Sequence, residues 1–283
     1  MTQVVPQLPL ALVTGAAGGM GRAISHVLAR RYRLILTDFK ADSLAALAAD
    51  LRFDGAAVVA EIAGDIAAPA TIAALAEAVR ANGTLGALVH TAGISPKMGA
   101  WDRVLEINLT GTLRLLDTLE PLLAPGGSGV LIASLASHMF AGSPAIEARL
   151  RDVRADTSVG TLEDIVREAA AQSDDPVALS SAAYGLSKYG VRLLCEFRAE
   201  RWGQLGCRLN SVSPGLIATP MGLMESRENP AAGALAELAP AGRWGTAYDI
   251  ADGVEFLLSP AASFVSGCDL RIDGALAAKL RNS

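Results

Sequence analysis

The feature that most constrains this chain is a glycine cluster, Thr14-Gly15-Ala16-Ala17-Gly18-Gly19-Met20-Gly21. It sits between a short apolar run, residues 10–13, and a stretch with helical spacing, residues 19–31, in which Ile24, Val27 and Leu28 share a side. Glycine permits a tight turn and lets another group approach the backbone closely. The helix that follows offers free N–H groups and the positive end of its dipole to an anion. Glycines alone mark many ordinary turns. A strand, a glycine turn and a helix in this order form the frame that holds a pyrophosphate. The segment is therefore expected to bind a dinucleotide, with Thr14, Gly15, Gly19, Met20 and Gly21 as contacts.

The same alternation continues along the chain. Apolar runs at 34–36, 58–59, 85–90, 130–133, 208–212 and 269–272 read as strands buried on both faces. Helical spacing separates them: Leu44, Leu47, Ala48 and Leu51, then Ile72, Leu75, Ala76 and Val79. Longer helices are predicted over 102–123, 182–202 and 250–258, the last opened by a Thr246/Asp249 capping box with a short acid. This order predicts an α/β fold: a Rossmann-type doubly wound parallel sheet of about seven strands with helices on both faces, in a single domain spanning 1–283.

Two stretches break the rhythm. Residues 143–179 are expected to form two short helices, about 145–154 and 162–172, with Thr161 as N-cap of the second and Asp164 behind it. Residues 214–245, rich in Pro, Gly and Ala, carry Met221, Leu223 and Met224 and are expected to form a substrate-binding loop.

Composition narrows the partners. The net charge is −5 and the basic residues are scattered, so no stripe of cations can track a nucleic acid backbone. No uncharged apolar stretch is long enough to span a membrane. The first residues lack a basic region before their apolar run, so no signal peptide is expected, and the expected location is cytoplasmic. The cysteines Cys195, Cys207 and Cys268 have neither zinc-site nor disulfide spacing and read as small buried hydrophobes. No metal site is expected.

Two carboxylates belong to the dinucleotide reading. Asp38 closes the second strand, where it can accept hydrogen bonds from the adenosine ribose and repel a 2′-phosphate. No cation precedes Gly19, where Gly18 stands. The cofactor is accordingly expected to be NAD. Asp65, after the third strand, is read either as a contact to the adenine amino group or as a helix N-cap near Pro69.

Tyr184 and Lys188 lie four residues apart at the start of a predicted helix, on one face. A free phenol has a pKa of about 10, too high for a base at neutral pH. A cation within about 4–6 Å lowers it. Lys188 can supply that charge, which makes Tyr184 a candidate general acid/base.

With these residues in hand, the chain resembles the classical short-chain dehydrogenase/reductase family. The matching pieces, in order, are the turn from Thr14 to Gly21, Asp38, Asp65, Ala92-Gly93, Asn108, Ser134, Tyr184 with Lys188, Asn210, Pro214-Gly215 and Thr219. The resemblance implies hydride transfer between NAD(H) and an alcohol or ketone. It implies that Tyr184 is the general acid/base and that Lys188 also holds the nicotinamide ribose. It implies that Ser134 orients the substrate oxygen, and that Asn108 kinks its helix and anchors a relay water. Ala92, Gly93, Pro214, Gly215, Ile217 and Thr219 become cofactor contacts, Thr219 at the carboxamide.

Alternatives stand beside these roles. Ser137 competes with Ser134, which is favoured because it directly follows the apolar run. Asn108 can also be read as a solvated helix residue. His90, in a departure from the usual Asn-Asn-Ala-Gly, reads as a satisfied core residue. Ser134 and Tyr184 are 50 positions apart, longer than is usual in the family. This resembles the subset typified by bacterial 3α-hydroxysteroid dehydrogenase/carbonyl reductase, on the segment Ser134-Leu135-Ala136-Ser137. A hydrophobic secondary alcohol or ketone, including a hydroxysteroid, is the expected substrate. A primary or aromatic alcohol and a non-catalytic NAD-sensing protein are the other readings. The stripes Ile146 with Leu150, and Leu162 with Ile165 and Val166, are expected to pack near the site mouth and to close an apolar pocket against Met221, Leu223 and Met224. A homodimer or homotetramer is expected, with the insertion favouring the dimer.

Overall fold

Seven parallel strands form one sheet in the order β3-β2-β1-β4-β5-β6-β7. The computed structural model describes residues 8–228, 235 and 238–282. The reading of the extreme N-terminus and part of the 214–245 loop lie outside them. The strands are β1 (Leu10–Thr14), β2 (Arg33–Asp38), β3 (Val58–Ala63), β4 (Leu85–His90), β5 (Leu123–Ile132), β6 (Arg208–Pro214) and β7 (Asp269–Ile272). Every residue of β1 is buried, as befits a central strand covered on both faces.

Two apolar layers flank the sheet. One gathers Ile24, Leu28, Leu44, Leu47 and Val254, from α1 (Gly19–Leu28), α2 (Ala41–Phe53) and α11 (Ala247–Leu258). The other gathers side chains from α3 (Pro69–Asn82), α4 (Trp101–Leu105), α5 (Gly111–Leu119) and α9 (Pro176–Gln204). The chain winds outward from β1 to β3, then crosses to β4 on β1's other side. This reversal opens a crevice at the carboxyl ends of β1 and β4, where doubly wound sheets place their ligands.

Local chemistry explains most boundaries. Thr246 and Asp249 form both bonds of a capping box at the start of α11. α9 begins at Pro176, six residues earlier than the spacing predicts, because the Asp175 carboxylate accepts from the Val177 and Ala178 N–H groups and proline suits the first helical turn. The helix expected over 102–123 is divided: a π turn, Glu106–Thr110, separates α4 from α5, and β5 already starts at Leu123. The early part of β5 is Gly-rich and pairs irregularly, with a register shift between Leu85 and Ala87 of its neighbour, so no apolar run announces it.

Residues 143–179 send apolar side chains into the core. Here α7 (Pro144–Asp152) is capped by Ser143, whose Oγ accepts from the Ile146 N–H, and α8 (Glu163–Ala169) follows a 3₁₀ turn. Thr161 is not the N-cap of α8. Its hydroxyl donates to the Ser158 carbonyl inside that turn, and Leu162 takes the cap position. Leu150, Val153, Leu162, Ile165 and Val166 are buried in the same apolar layer as α5 and α9. The Tyr189 hydroxyl donates to Glu147 at 2.6 Å, the Arg151 guanidinium lies 3.9 Å over the Phe197 ring, and Arg114 donates to the Ala155 carbonyl at 2.6 Å. Met221, Leu223 and Met224, on α10 (Pro220–Glu228) or within its turns, remain exposed. The apolar stripes thus turn inward to the core, and among the described residues Met221, Leu223 and Met224 are not covered by them. Among the described residues, no helix is long and apolar enough to cross a membrane.

Candidate active site

The crevice is built first from backbone. Gly15 has φ +62°, and a Cβ there would meet Ala92 N and Thr91 Oγ1 at 2.7 Å. A Cβ at Gly21 would lie 2.1 Å from the Gly15 carbonyl oxygen, and one at Gly19 would lie 2.6 Å from Thr219 Cγ2. These glycines are demanded by close approach, and side chains would fill the cradle that a pyrophosphate needs. The residues present fit a dinucleotide. α1 begins at Gly19 and aims its first N–H groups into the crevice end of the turn. Met20 packs partly buried beside this layer.

Asp38 is tied to the same turn. Its Oδ2 accepts from the Ala17 N–H at 3.0 Å and its Oδ1 from the Lys40 N–H at 3.1 Å. Arg22, the nearest cation in sequence on α1, pairs with Asp50 instead. Asp65 is not a helix N-cap: Ala68 holds that position before Pro69. Its Oδ1 accepts from the Ala67 N–H at 2.9 Å, and its Oδ2 is paired with Arg103. Arg103 escaped the sequence reading because nothing local links α4 to the end of β3.

On the other side of Gly93 lie the candidate catalytic side chains. Lys188 is buried, and its Nζ donates to the Ile132 carbonyl at 2.9 Å and stands 5.9 Å from the centroid of the Tyr184 ring. Burial lowers its pKa to about 8. A Cβ on Gly93 would lie 3.0 Å from Asn108 Oδ1 and 3.3 Å from Lys188 Nζ, so glycine here leaves room for both side chains beside the backbone. Asn108 lies in the π turn and is fully buried, which excludes the solvated reading. Its amide spans the Ile94 main chain, accepting from N at 2.9 Å and donating to O at 3.0 Å. It also donates to Ser187 Oγ at 3.3 Å, and Ser187 donates to the Tyr184 carbonyl at 2.8 Å. Ser187 was missed by sequence reasoning, although its place one residue before Lys188 puts it beside the pair.

His90 is a satisfied core residue with a defined tautomer. Thr112 Oγ1 donates to the Asn108 carbonyl at 2.8 Å, so its oxygen accepts from His90 Nε2–H at 2.9 Å. His90 Nδ1 then accepts from the Thr14 hydroxyl at 2.7 Å, and that hydroxyl oxygen accepts from the Ala92 N–H at 3.3 Å. The chain of bonds links the base of the glycine turn to the π turn. Burial first, and the Lys188 charge second, lower the His90 pKa to about 3.

The strand ends complete the crevice. Ser134 is partly exposed, whereas Ser137 is buried and bonded to Ser213 at 3.3 Å, which leaves Ser134 as the serine open to a ligand. The Pro214 carbonyl accepts from the Leu135 N–H at 2.8 Å, and the Gly215 N–H donates to Ile272 at 2.9 Å. Ile217 is buried and bridges to Gly245, and Thr219 Oγ1 accepts from the Gly222 N–H at 3.2 Å at the first turn of α10. Asn210 sits lower in β6, spanning Val265 O and Cys268 N.

Comparison with known proteins agrees with this geometry. Residues 9–145 match the short chain dehydrogenase family model, and residues 164–276 match the model described as Enoyl-(Acyl carrier protein) reductase. D-threitol dehydrogenase of Mycolicibacterium smegmatis is 32% identical over 95% of this chain and 93% of its own. The 3-alpha-hydroxysteroid dehydrogenase/carbonyl reductase of Comamonas testosteroni is 31% identical over 69% of this chain and 73% of its own. The solved structure of a short-chain type dehydrogenase/reductase from Mycobacterium ulcerans superposes with a TM-score of 0.76 at 26% identity, covering 96% of this chain and 90% of that one. With the strand order, the glycine cradle and the Asn108–Tyr184–Lys188 grouping in place, the chain belongs to the short-chain dehydrogenase/reductase family, oxidoreductases that bind a nicotinamide cofactor.

Proposed function

We propose that this chain is an NAD(H)-preferring dehydrogenase that interconverts a hydrophobic secondary alcohol and its ketone. The observation that carries the reading is the burial of Lys188 beneath Tyr184, with Asn108 held beside it across Gly93. A bound nicotinamide supplies the hydride acceptor for oxidation and the hydride donor for reduction. The chain supplies the proton chemistry. In oxidation the Tyr184 phenolate takes the substrate hydroxyl proton, and in reduction the phenol returns one. The Lys188 ammonium favours the phenolate by its charge. Ser134 donates to the substrate oxygen, and Asn108 anchors the relay beneath. Residues Thr14 to Gly21, Asp38, Asp65, Ala92, Gly93, Pro214, Gly215, Ile217 and Thr219 are the cofactor contacts of this reading.

NAD is preferred because Asp38 stands at the end of β2 and Arg22 is engaged by Asp50. The apolar side chains of Met221, Leu223 and Met224 just beyond Thr219 support a hydrophobic substrate. A polyol is the second reading, favoured by the near full-length likeness to D-threitol dehydrogenase. The 143–179 segment supports kinship with the hydroxysteroid dehydrogenase subset. Because that segment covers α5 and α9, a homodimer is proposed over a homotetramer. Assay of NAD⁺ reduction over hydroxysteroids, cyclic alcohols and D-threitol separates the substrates. Tyr184→Phe is expected to cut kcat by about 10² or more while NADH still binds. Near-native turnover by this variant would overturn the reading.

A further inference from the structure

Directly after Ser134 the chain makes one helical turn, α6 (Ala136–Met139), before it enters the 143–179 segment. This turn carries the positions of both reacting side chains. On its near side, the Ser134 carbonyl accepts from the Ser137 N–H at 2.9 Å and the Ser134 hydroxyl oxygen from the Ala136 N–H at 3.2 Å. On its far side, the Phe140 ring stacks 5.4 Å from the Tyr189 ring. A Cβ on Gly185 would come within 3.2 Å of Phe140, so the ring also rests on α9 one residue past Tyr184. Shifting α6 therefore moves Ser134 relative to Tyr184.

Beside this Phe140 packing, a polar lock holds α6. The Asp269 carboxylate, at the start of β7, has a side chain 9% exposed. His138 Nε2 donates to its Oδ2 at 2.8 Å. Ser211 and Ser213 of β6 donate to its Oδ1 at 2.5 and 3.0 Å. Since Ser213 gives its only proton to Asp269, Ser137 must donate in the 3.3 Å contact to Ser213. Two consecutive residues of α6 thus converge, one directly and one through Ser213, on a single carboxylate. Its three donors satisfy the buried charge, and such a network fixes one geometry where apolar packing tolerates several.

We propose that His138 and Asp269 are positioning residues for the proposed reaction, locking α6 onto β6 and β7 so that Ser134 and Tyr184 stay in register. The proposal rests on the dehydrogenase reading given above. Neither residue touches the glycine turn, Asp38 or Lys188, and the lock meets β6 at Ser213, one residue before Pro214, so its loss is expected to affect kcat more than NADH affinity.

The test compares the native enzyme with H138A, H138Q, D269N and Y184F. Each is assayed with NAD⁺ and the fastest of a hydroxysteroid, cyclohexanol and D-threitol. NADH affinity is read from fluorescence, and amide exchange is read in residues 134–142. H138A and D269N are expected to lose about 10-fold to 10² in kcat, the scale of a misplaced reacting group. Their NADH affinity is expected to stay within about twofold, and exchange in 134–142 to accelerate. H138Q, whose amide N–H can reach Asp269, is expected to restore kcat to within about threefold of native. Should H138A fail to fold, D269N and H138Q carry the same comparison, because both preserve side-chain volume. The proposal is overturned if D269N and H138A keep native kcat, or if kcat and NADH affinity fall together without rescue by glutamine. A Y184F enzyme that still turns over removes the dehydrogenase reading and the proposal with it. A dead Y184F beside a native-like H138A removes the proposal alone.

Discussion

Lys188 hands a hydrogen bond to Ile132, from Nζ to the main-chain carbonyl at 2.9 Å, two residues before Ser134. The ammonium is buried, and burial lowers its pKa to about 8 from 10.5. Between these values the unfolded chain holds a proton that the folded chain has released. Stability contributed through this group therefore rises with pH across that window. Relative to Lys188→Met, the native protein is expected to gain up to about 3 kcal/mol of unfolding free energy between pH 8 and pH 10.5. Denaturant titrations at several pH values read it. A stability difference independent of pH would refute the buried, strained cation.

His90 predicts the acid limb. It is held neutral, with a pKa lowered to about 3 from 6.5. Stability from the neutral ring is present above pH 6.5 and is lost as pH falls toward 3, because the unfolded chain takes up the proton first. His90→Asn is expected to unfold less steeply between pH 6.5 and 4, although it is less stable at neutral pH. A variant with the native acid profile would place the acid sensitivity elsewhere.

Gly21→Ala sets a methyl 2.1 Å from a backbone oxygen, where no flexible side chain can yield. The glycine turn must open. NADH affinity is expected to drop about 10-fold or more, with about 1–3 kcal/mol lost in stability. Fluorescence titration and thermal unfolding measure the two effects, and native NADH affinity would contradict the cradle.

Asp38 is the test of cofactor choice. The native enzyme is expected to show a higher kcat/KM with NAD(H) than with NADP(H). Asp38→Ser removes the charge that would repel a 2′-phosphate. The ratio of the two kcat/KM values is expected to move toward NADP(H) by about 10-fold or more, the effect of roughly 1.4 kcal/mol. A native preference for NADP(H) would sink the assignment.

The 143–179 segment is anchored in the core by a few apolar side chains. Leu150→Ala, at a site 3% exposed, is expected to cost about 2–5 kcal/mol in a denaturant titration. A loss below about 0.5 kcal/mol would mean that α7 lies on the surface.

The elements and their order are legible in the chain because they rest on local patterns. β1, the glycine turn and α1 announce themselves within twenty residues, and buried parallel strands appear as unbroken apolar runs. The Tyr184–Lys188 pair is equally local, since one helical turn sets its spacing. Boundaries are less legible where a cap decides them: Asp175 starts α9 early, and the 3₁₀ turn at Val159–Leu162 takes Thr161 away from α8. The Gly-rich first half of β5 meets β4 at Leu123, opposite Leu85, and the register resumes only at Ser128, so no local pattern announces it.

The sequence alone thus determined the sheet, the glycine turn and the spacing of the candidate Tyr184–Lys188 pair, since each depends on side-chain type at short range. Tertiary structure decided which partner each buried polar group meets. Asp65 pairs with Arg103, 38 positions away, and His90 joins Thr14, 76 positions away, to Thr112. The carboxylate of Asp269 collects His138, 131 positions before it. Such pairings depend on how strands and helices stack in three dimensions. A buried donor or acceptor left unpaired is costly, and the folded chain settles those bonds only when distant segments meet.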